Sequence, residues 1–234
     1  MNKTKLKALV LADWYQMKAV YIIMVLGTVL GAASVFMIAL HSGTVAMIFS
    51  IMAGAVMSLV ISTVFATDGL KGTGVFRKSL PYTAGETVMA RYITMAAAWL
   101  MTIVLNTLCA VIGAAMYGGF AGDFSGALGF SLVVFTVYFM LIPAAVYPAF
   151  YKFGYQKVQF IYSIISSISI VGGMMVGALT FADEAVTKSG VKWSPKDLLC
   201  IPMPMALVII AAICVIFGLS YRASVKIYGT SDAR

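Results

Sequence analysis

Residues 124–151 read FSGALGFSLVVFTVYFMLIPAAVYPAFY and contain no Asp, Glu, Lys or Arg. A helix of roughly 20 apolar residues crosses the ~30 Å hydrocarbon core of a bilayer, so this run is long enough to span a membrane. Comparable uncharged runs fill most of the chain: residues 19–67, interrupted only by His41, and residues 92–122, 158–182 and 198–221. A lipid-facing β-barrel would alternate polar and apolar residues, which these runs do not, so we predict helices.

The composition also indicates a membrane protein. Hydrophobic residues make up 62% of the 234 residues and charged residues only 10%, whereas soluble domains carry about 25% charged residues. The longest run is predicted to hold two spans and each other run one. We therefore predict an all-α integral membrane fold, a single domain over residues 1–234, with six transmembrane helices at residues 19–40, 44–67, 92–117, 125–150, 158–181 and 199–221.

The basic residues set the predicted orientation. Thirteen of the sixteen Lys and Arg residues fall in the N-terminal segment, the 68–91 loop, the 152–157 loop or the C-terminal tail, which share one side of the membrane in the six-span topology. Because cytoplasmic loops are enriched in Lys and Arg, both termini are predicted to be cytoplasmic in a multi-pass protein of the cell membrane. The net charge of +8 then indicates contact with membrane lipids rather than with nucleic acid.

The N-terminal segment 3–17 forms a separate amphipathic element. Apolar side chains recur at helical spacing along one of its faces, and Lys3, Lys7 and Asp13 fall elsewhere. The apolar face consists of Leu6, Leu9, Val10, Trp14 and Met17. This pattern predicts an interfacial helix that lies on the cytoplasmic leaflet.

The longest cytoplasmic loop, residues 68–91, has more local structure than a tether needs. It begins with a glycine-rich turn and continues into Thr83-Ala84-Gly85-Glu86. This is a capping box, in which the threonine hydroxyl accepts from the N–H three residues on and the glutamate reaches back. We predict a helix that begins at Ala84 and runs unbroken into the third span.

The middle of this loop carries apolar side chains on a stiff turn. Pro81 favours an extended conformation of Leu80, and the apolar residues of the turn are Val75, Phe76 and Leu80. These side chains either dock on a cytoplasmic partner, flanked by Arg77 and Lys78, or fold back onto the lipid headgroups. The residues alone leave both alternatives open.

Prolines predict two irregular helices. Ser194-Pro195-Lys196-Asp197 is typical of a helix start, yet Pro202 and Pro204 follow within two turns. Residues 194–205 are therefore predicted to form a broken or re-entrant outer helix before the last span. Pro143 and Pro148 likewise predict a kink in the fourth span.

Small and hydroxylated residues recur along two predicted spans. They are Gly54, Ser58 and Ser62 in the second span and Ser163, Ser166 and Ser167 in the fifth. Close helix packing is the favoured interpretation, and a translocation path is the alternative. Asn106 in the third span is predicted to donate a hydrogen bond to another helix.

The sequence lacks the groups that ATP hydrolysis or metal-dependent catalysis would require. No glycine-rich phosphate loop precedes Lys78-Ser79 or Lys188-Ser189, which excludes a P-loop ATPase. The three cysteines, Cys109, Cys200 and Cys214, have no metal-ligand spacing, and the one histidine, His41, lies in a hairpin. We predict no enzyme activity, no catalytic or metal site and no cofactor in this chain.

The motifs resemble those of short, six-span permeases of type-2 ATP-binding-cassette (ABC) exporters. Such permeases often begin with an Asp-aromatic pair and carry acidic, Lys-Gly, aromatic, Ser-Leu-Pro and Val-x-x-Lys/Arg-Tyr motifs around the second cytoplasmic segment. The matching residues here are Asp13-Trp14, Asp68, Lys71-Gly72, Phe76, Ser79-Leu80-Pro81 and Val88-Met89-Ala90-Arg91-Tyr92. Ala12 and Ala84-Gly85 depart from the pattern, which often has basic residues there.

The resemblance implies a half-transporter that moves a hydrophobic or amphipathic substrate, such as a peptide, toxin or lipid-like molecule, outward. Two permease chains would pair, as a homodimer or heterodimer, and a separate cytoplasmic ABC ATPase subunit would bind ATP and Mg²⁺. The implied ATPase-coupling residues are Val75, Phe76, Arg77, Lys78, Ser79, Leu80, Pro81, Tyr82, Glu86 and Arg91. A stand-alone carrier or channel and a non-transporting membrane scaffold are the alternatives.

Overall fold

The computed structural model describes residues 3–16, 27, 29–30, 51–53, 65, 82–117, 124–164, 166–168, 171 and 201–231. All regular structure within these residues is helical, as predicted. The helices are α1 (Lys3–Gln16), α2 (Ala84–Tyr117), α3 (Phe124–Thr136), a π-helical turn (Val137–Leu141), α4 (Ile142–Phe153), α5 (155–164) and α6 (Met203–Ser231).

Three stretches of the described residues are long and apolar enough to cross a membrane: Ala84–Met116, Phe124–Phe153 and Met203–Thr230. They contain most of the predicted third, fourth and sixth spans. The predicted spans at 19–40, 44–67 and 158–181 lie largely outside the described residues. A membrane protein with three candidate spans is therefore established, and the count of six stays a prediction.

Helix α2 begins at the residue that the capping box predicts. The Glu86 N–H donates to Thr83 Oγ1 at 3.3 Å, and the Thr83 N–H donates to Glu86 Oε2 at 3.1 Å. Two N–H groups that have no acceptor within the helix are thereby satisfied. The helix then continues without interruption for 34 residues, from the predicted cytoplasmic loop into the membrane.

Helices α3 and α4 form one span with a π-helical turn between them, next to a proline. The Ile142 N–H donates to the Val137 carbonyl, five residues earlier, and Pro143 follows directly. Proline lacks an N–H and its ring crowds the carbonyl four residues earlier, so an extra residue in this turn relieves the conflict. Gly154, with φ of 80°, ends α4 in a conformation that glycine adopts without strain.

Helix α6 contains most of the predicted last span, 199–221, and continues beyond its predicted end. It begins at Met203, directly after Pro202, and Pro204 lies in its first turn, where a missing N–H leaves no hydrogen bond unmade. It ends at Ser231, ten residues beyond the predicted end. The basic residues from Arg222 onward mark the predicted membrane boundary but do not stop the helix. Residues 194–200 lie outside the described residues, so the re-entrant helix stays a prediction.

The described helices pack around α6 and α2. Helix α6 contacts α2, α3 and α4, and α1 packs against α2. In α1 this contact corrects the predicted polar face, because Asp13 is 1% exposed and lies on the packed side together with Leu9. Leu11 and Tyr15 point away from the packed side and are exposed.

Gly129 marks the closest approach between α3 and the start of α6. A Cβ atom placed on Gly129 would clash with the Ile201 carbonyl oxygen and touch Ala206 Cβ at 3.4 Å. Both neighbours are main chain or rigid side chain, so neither can rotate away. A glycine at this position therefore allows the two segments to come together.

We expect Gly129→Ala to lower the free energy of unfolding by about 2 kcal/mol, because the added methyl group separates two backbones. Thermal unfolding in detergent should show a fall in midpoint of about 6 °C. Gly218→Ala is the matched control, since a methyl group added to Gly218 would meet no other atom within 4 Å. The control should leave the midpoint unchanged or raise it, and an equal fall in both variants would contradict the assignment.

Candidate functional site

The predicted coupling residues divide between two parts of the chain. Val75, Phe76, Arg77, Lys78, Ser79, Leu80 and Pro81 lie outside the described residues, as do Gly54, Ser58 and Ser62. Tyr82, Glu86 and Arg91 are described and lead into the first turns of α2. Tyr82 is half-buried, whereas Glu86 and Arg91 are only 5% and 3% exposed. The two charged residues therefore face the interior of the bundle.

The Arg91 guanidinium lies among aromatic rings. Its central carbon is 4.2 Å from the centroid of Phe65 and 5.7 Å from that of Tyr151. Phe65 in turn stacks on Phe150 at 4.4 Å and meets the edge of Tyr147 at 5.0 Å. A cation over desolvated ring faces gains about 2 kcal/mol from the ring quadrupoles.

Asp13 brings a negative charge into the same cluster. It is 1% exposed on α1, and both Asp13 and Arg91 act electrostatically on the hydroxyl groups of Tyr147 and Tyr151. A buried charge without a counter-charge costs several kcal/mol. We therefore expect the opposite charges of α1 and α2 to compensate each other beside α4.

Tyr92, the next residue along α2, contacts two other helices. Its hydroxyl is 2.8 Å from Ser220 Oγ and 2.9 Å from Ser224 Oγ, both on α6. Its ring lies 4.7 Å from that of Phe217 and 5.2 Å from that of Tyr147. Tyr92 is 4% exposed, so these hydroxyl contacts are made away from solvent.

Consecutive residues at the start of α2 thus contact two other helices. Arg91 lies over the Tyr151 ring of α4, on whose hydroxyl Asp13 of α1 also acts, while Tyr92 binds the serines of α6. We call Asp13, Arg91, Tyr92, Tyr147 and Tyr151 the hub. Arg91, the first hub residue of α2, lies two helical turns from the capping box at the start of that helix.

The motifs of the sequence include Asp13, Arg91 and Tyr92, but nothing in them indicates that these residues meet. Tyr147 and Tyr151 carry no signal beyond their spacing of four residues, which places two hydroxyls on one helical face. Contacts between residues about 80 positions apart depend on tertiary packing, so no local pattern reveals them.

The hydroxyl residues of the predicted fifth span differ in exposure. Ser166 is 7% exposed, whereas Ser163 and Ser167 are exposed and Ser163 donates to the Gln159 carbonyl of its own helix at 2.8 Å. Packing and a translocation path both stay open for them. The prediction for Asn106 is wrong, because its amide donates to Thr102 within α2, at 2.9 Å, rather than to another helix.

Among the described residues, no three His, Cys, Asp or Glu side chains come close enough to hold a metal ion. Tyr155, just beyond α4, stacks on Phe150 at 5.9 Å, and its partial burial raises the pKa of its hydroxyl. The hub contains one buried acid, Asp13, and one buried base, Arg91, with Arg91 among aromatic rings.

We expect Asp13→Asn and Arg91→Met each to destabilise the protein strongly, because each leaves the opposite charge buried and uncompensated. Breaking one partner of a buried ion pair typically costs 3–5 kcal/mol, which corresponds to a fall of about 10 °C in the thermal midpoint.

The double variant Asp13→Asn/Arg91→Met should recover at least half of that loss, since it leaves no isolated charge. Lys226→Met, an exposed cation on α6, serves as the control and should change the midpoint by less than about 2 °C. Strictly additive losses in the double variant would show that Asp13 and Arg91 do not compensate each other.

Comparison with known proteins places the chain in a family. The family model of the ABC-2 family transporter proteins matches residues 8–229, which include the whole hub and the three candidate spans except Thr230 at the end of the third. No curated protein and no solved structure matches the chain. Permeases of this family are membrane components that associate with an ABC ATPase. The chain therefore belongs to the ABC-2 transporter family and is a membrane permease component of an ABC transporter.

Proposed function

We propose that this permease is half of an ABC exporter that moves a hydrophobic or amphipathic substrate out of the cell. Two permease chains pair, and a cytoplasmic ATPase subunit binds ATP and Mg²⁺ and docks on the loop that precedes α2. The observation that carries this proposal is the continuity of α2, which starts at the capping box and extends for 34 residues.

A continuous helix transmits movement from one end to the other. At 1.5 Å per residue, α2 is about 50 Å long, enough to reach from the cytoplasm through the bilayer. Its first turn is held by the Thr83–Glu86 pair, and the hub fixes its second and third turns. Closure of the ATPase subunits against the loop would therefore displace α2 as a rigid body.

Glu86 and Arg91 act on the docking loop from inside the bundle. Their burial argues that they position the loop and the helix start, whereas Val75, Phe76, Leu80 and Pro81 supply the apolar contact with the ATPase. Arg77, Lys78, Ser79 and Tyr82 complete the docking turn. This assignment separates contact residues from positioning residues within one segment.

The substrate class follows from the interior of the spans. From Tyr92 to Tyr117 and from Phe124 to Tyr151 the chain carries no charged side chain. An ionic substrate would have no counter-charge along such a path, whereas an apolar or amphipathic one needs none. The absence of charged residues in these spans also argues against a stand-alone ion-coupled carrier. Transport that depends on ATP would distinguish the permease from a non-transporting scaffold.

The proposed topology places both termini in the cytoplasm of the cell. Helix α1 then lies at the cytoplasmic leaflet with Asp13 turned toward α2, and its exposed Leu11 and Tyr15 reach the lipid. The N-terminal lysines lie on the same helix, where anionic headgroups attract them.

Phe76→Asp and Leu80→Asp should prevent docking, because a buried apolar contact cannot accommodate an unpaired carboxylate. With a tagged permease co-expressed with its ATPase subunit, we expect at least a tenfold loss of co-purified ATPase. Phe76→Leu is the matched control and should retain binding. An intact complex with normal transport-stimulated ATP hydrolysis in the Asp variants would contradict the docking proposal.

Variants at the capping box distinguish positioning from direct contact. Glu86→Gln keeps a side chain that can cap the helix, so we expect coupling within about twofold of the parent. Glu86→Ala removes the cap and should lower the thermal midpoint by about 3 °C, with a parallel loss of transport-stimulated hydrolysis. If Glu86→Gln were as defective as Glu86→Ala, helix capping would not explain the role of Glu86.

A further inference from the structure

Pro148 leaves a backbone carbonyl without its usual donor. In an α-helix the N–H of residue 148 would donate to the carbonyl of Ala144, but proline has no N–H. Hydrocarbon offers no water to replace the missing donor, so an unsatisfied carbonyl at membrane depth is costly. Pro143 poses a similar problem and is accommodated by the π-helical turn. At Pro148 the helix shows no such turn.

A hydroxyl group from another helix takes the place of the missing N–H. Ser220 on α6 donates to the Ala144 carbonyl at 2.5 Å, and Ser220 is 8% exposed. Other buried hydroxyls behave differently: those of Thr94, Thr102 and Thr136 donate to the carbonyl four residues earlier in their own helices, at 2.7–2.9 Å. Ser220 therefore departs from the local pattern where a proline has removed a donor.

The direction of the remaining hydrogen bonds follows from this one. A carbonyl can only accept, so the single hydrogen of the Ser220 hydroxyl is used on Ala144. At the 2.8 Å contact between Tyr92 and Ser220, Tyr92 must then donate, and at the 2.9 Å contact with Ser224, Tyr92 must accept. The result is a directed chain from Ser224 through Tyr92 and Ser220 to Ala144.

We propose that Ser220 is a positioning residue that supplies the hydrogen bond Pro148 cannot make, and that Tyr92 and Ser220 together couple the backbone conformation of α4 at Pro148 to the position of α2. The second half of this proposal rests on the proposed function, in which the docking loop moves α2. Displacement of α2 would draw Tyr92 and the serines of α6 with it. Ser220 would then leave Ala144, and the backbone of α4 would be free to change its conformation at Pro148.

The assignment of Ser220 is tested by an epistasis experiment on the isolated permease. Ser220→Ala should lower the thermal midpoint by about 3 °C in the parent protein. Pro148→Ala restores an N–H that can reach Ala144, so Ser220→Ala should lower the midpoint by no more than about half as much in the Pro148→Ala background, where only the hydrogen bond from Tyr92 is lost. The same loss in both backgrounds would overturn the assignment.

Two further variants keep the experiment decisive. Ser224→Ala is the control, because Ser224 does not touch Ala144 and its cost should be equal in both backgrounds. Ser220→Thr retains a hydroxyl and should restore the parent value. If Pro148→Ala does not fold, hydrogen exchange decides: Ser220→Ala should raise exchange in residues 144–153 at least threefold and leave α3 unchanged, and uniform exchange would overturn the assignment.

The coupling to α2 is tested with Tyr92→Phe, which keeps the ring and removes the hydroxyl. In the assembled transporter, the non-hydrolysable analogue adenylyl imidodiphosphate should raise hydrogen exchange in residues 144–153 at least threefold in the parent. Tyr92→Phe should abolish this response while retaining bound ATPase. An unchanged response would overturn the coupling. If no ATPase associates with the parent chain, the proposed function fails and the coupling with it, while the epistasis result on Ser220 stands.

Discussion

Hydrocarbon supplies no hydrogen-bond partners, and this constraint governs the described structure. Each helix must satisfy its own backbone, and each exception requires a local solution. The start of α2 uses the side chains of Thr83 and Glu86, and the first turn of α6 places Pro204 where no bond is lost. In the fourth span, the π-helical turn adds a residue before Pro143, and the Ser220 hydroxyl of α6 replaces the N–H that Pro148 lacks.

The same constraint confines the buried polar groups to places where helices contact each other. Arg91 and Asp13 are buried in the bundle with opposite charges, and the tyrosines of α4 on which both act give an apolar body with a polar tip. These groups come from α1, α2 and α4, and the serines of α6 join through Tyr92. The permease therefore has a polar connection between helices next to the segment proposed to receive the ATPase.

Local signals predicted the local features well. The capping box could be predicted because Thr83 and Glu86 are three residues apart, and the three candidate spans because the uncharged runs 92–122, 124–151 and 198–221 coincide with most of their length. The sequence did not indicate the end of α6 at Ser231, because Arg222 and Lys226 signal where hydrocarbon ends, not where a helix ends. The burial of Asp13 and the bond from Ser220 to Ala144 depend on residues far apart in sequence, which no local pattern encodes.

The π-helical turn also sets the rotational phase of the fourth span. An α-helix advances about 100° per residue, so one additional residue rotates everything that follows by that angle around the helix axis. A helical wheel drawn through Phe124–Phe153 at 100° per residue therefore places the residues of α4 on the wrong side of the helix. Insertion or deletion of a single residue between Val137 and Leu141 would turn the Ala144 carbonyl away from α6. The contact between α4 and Ser220 therefore depends on the length of this turn.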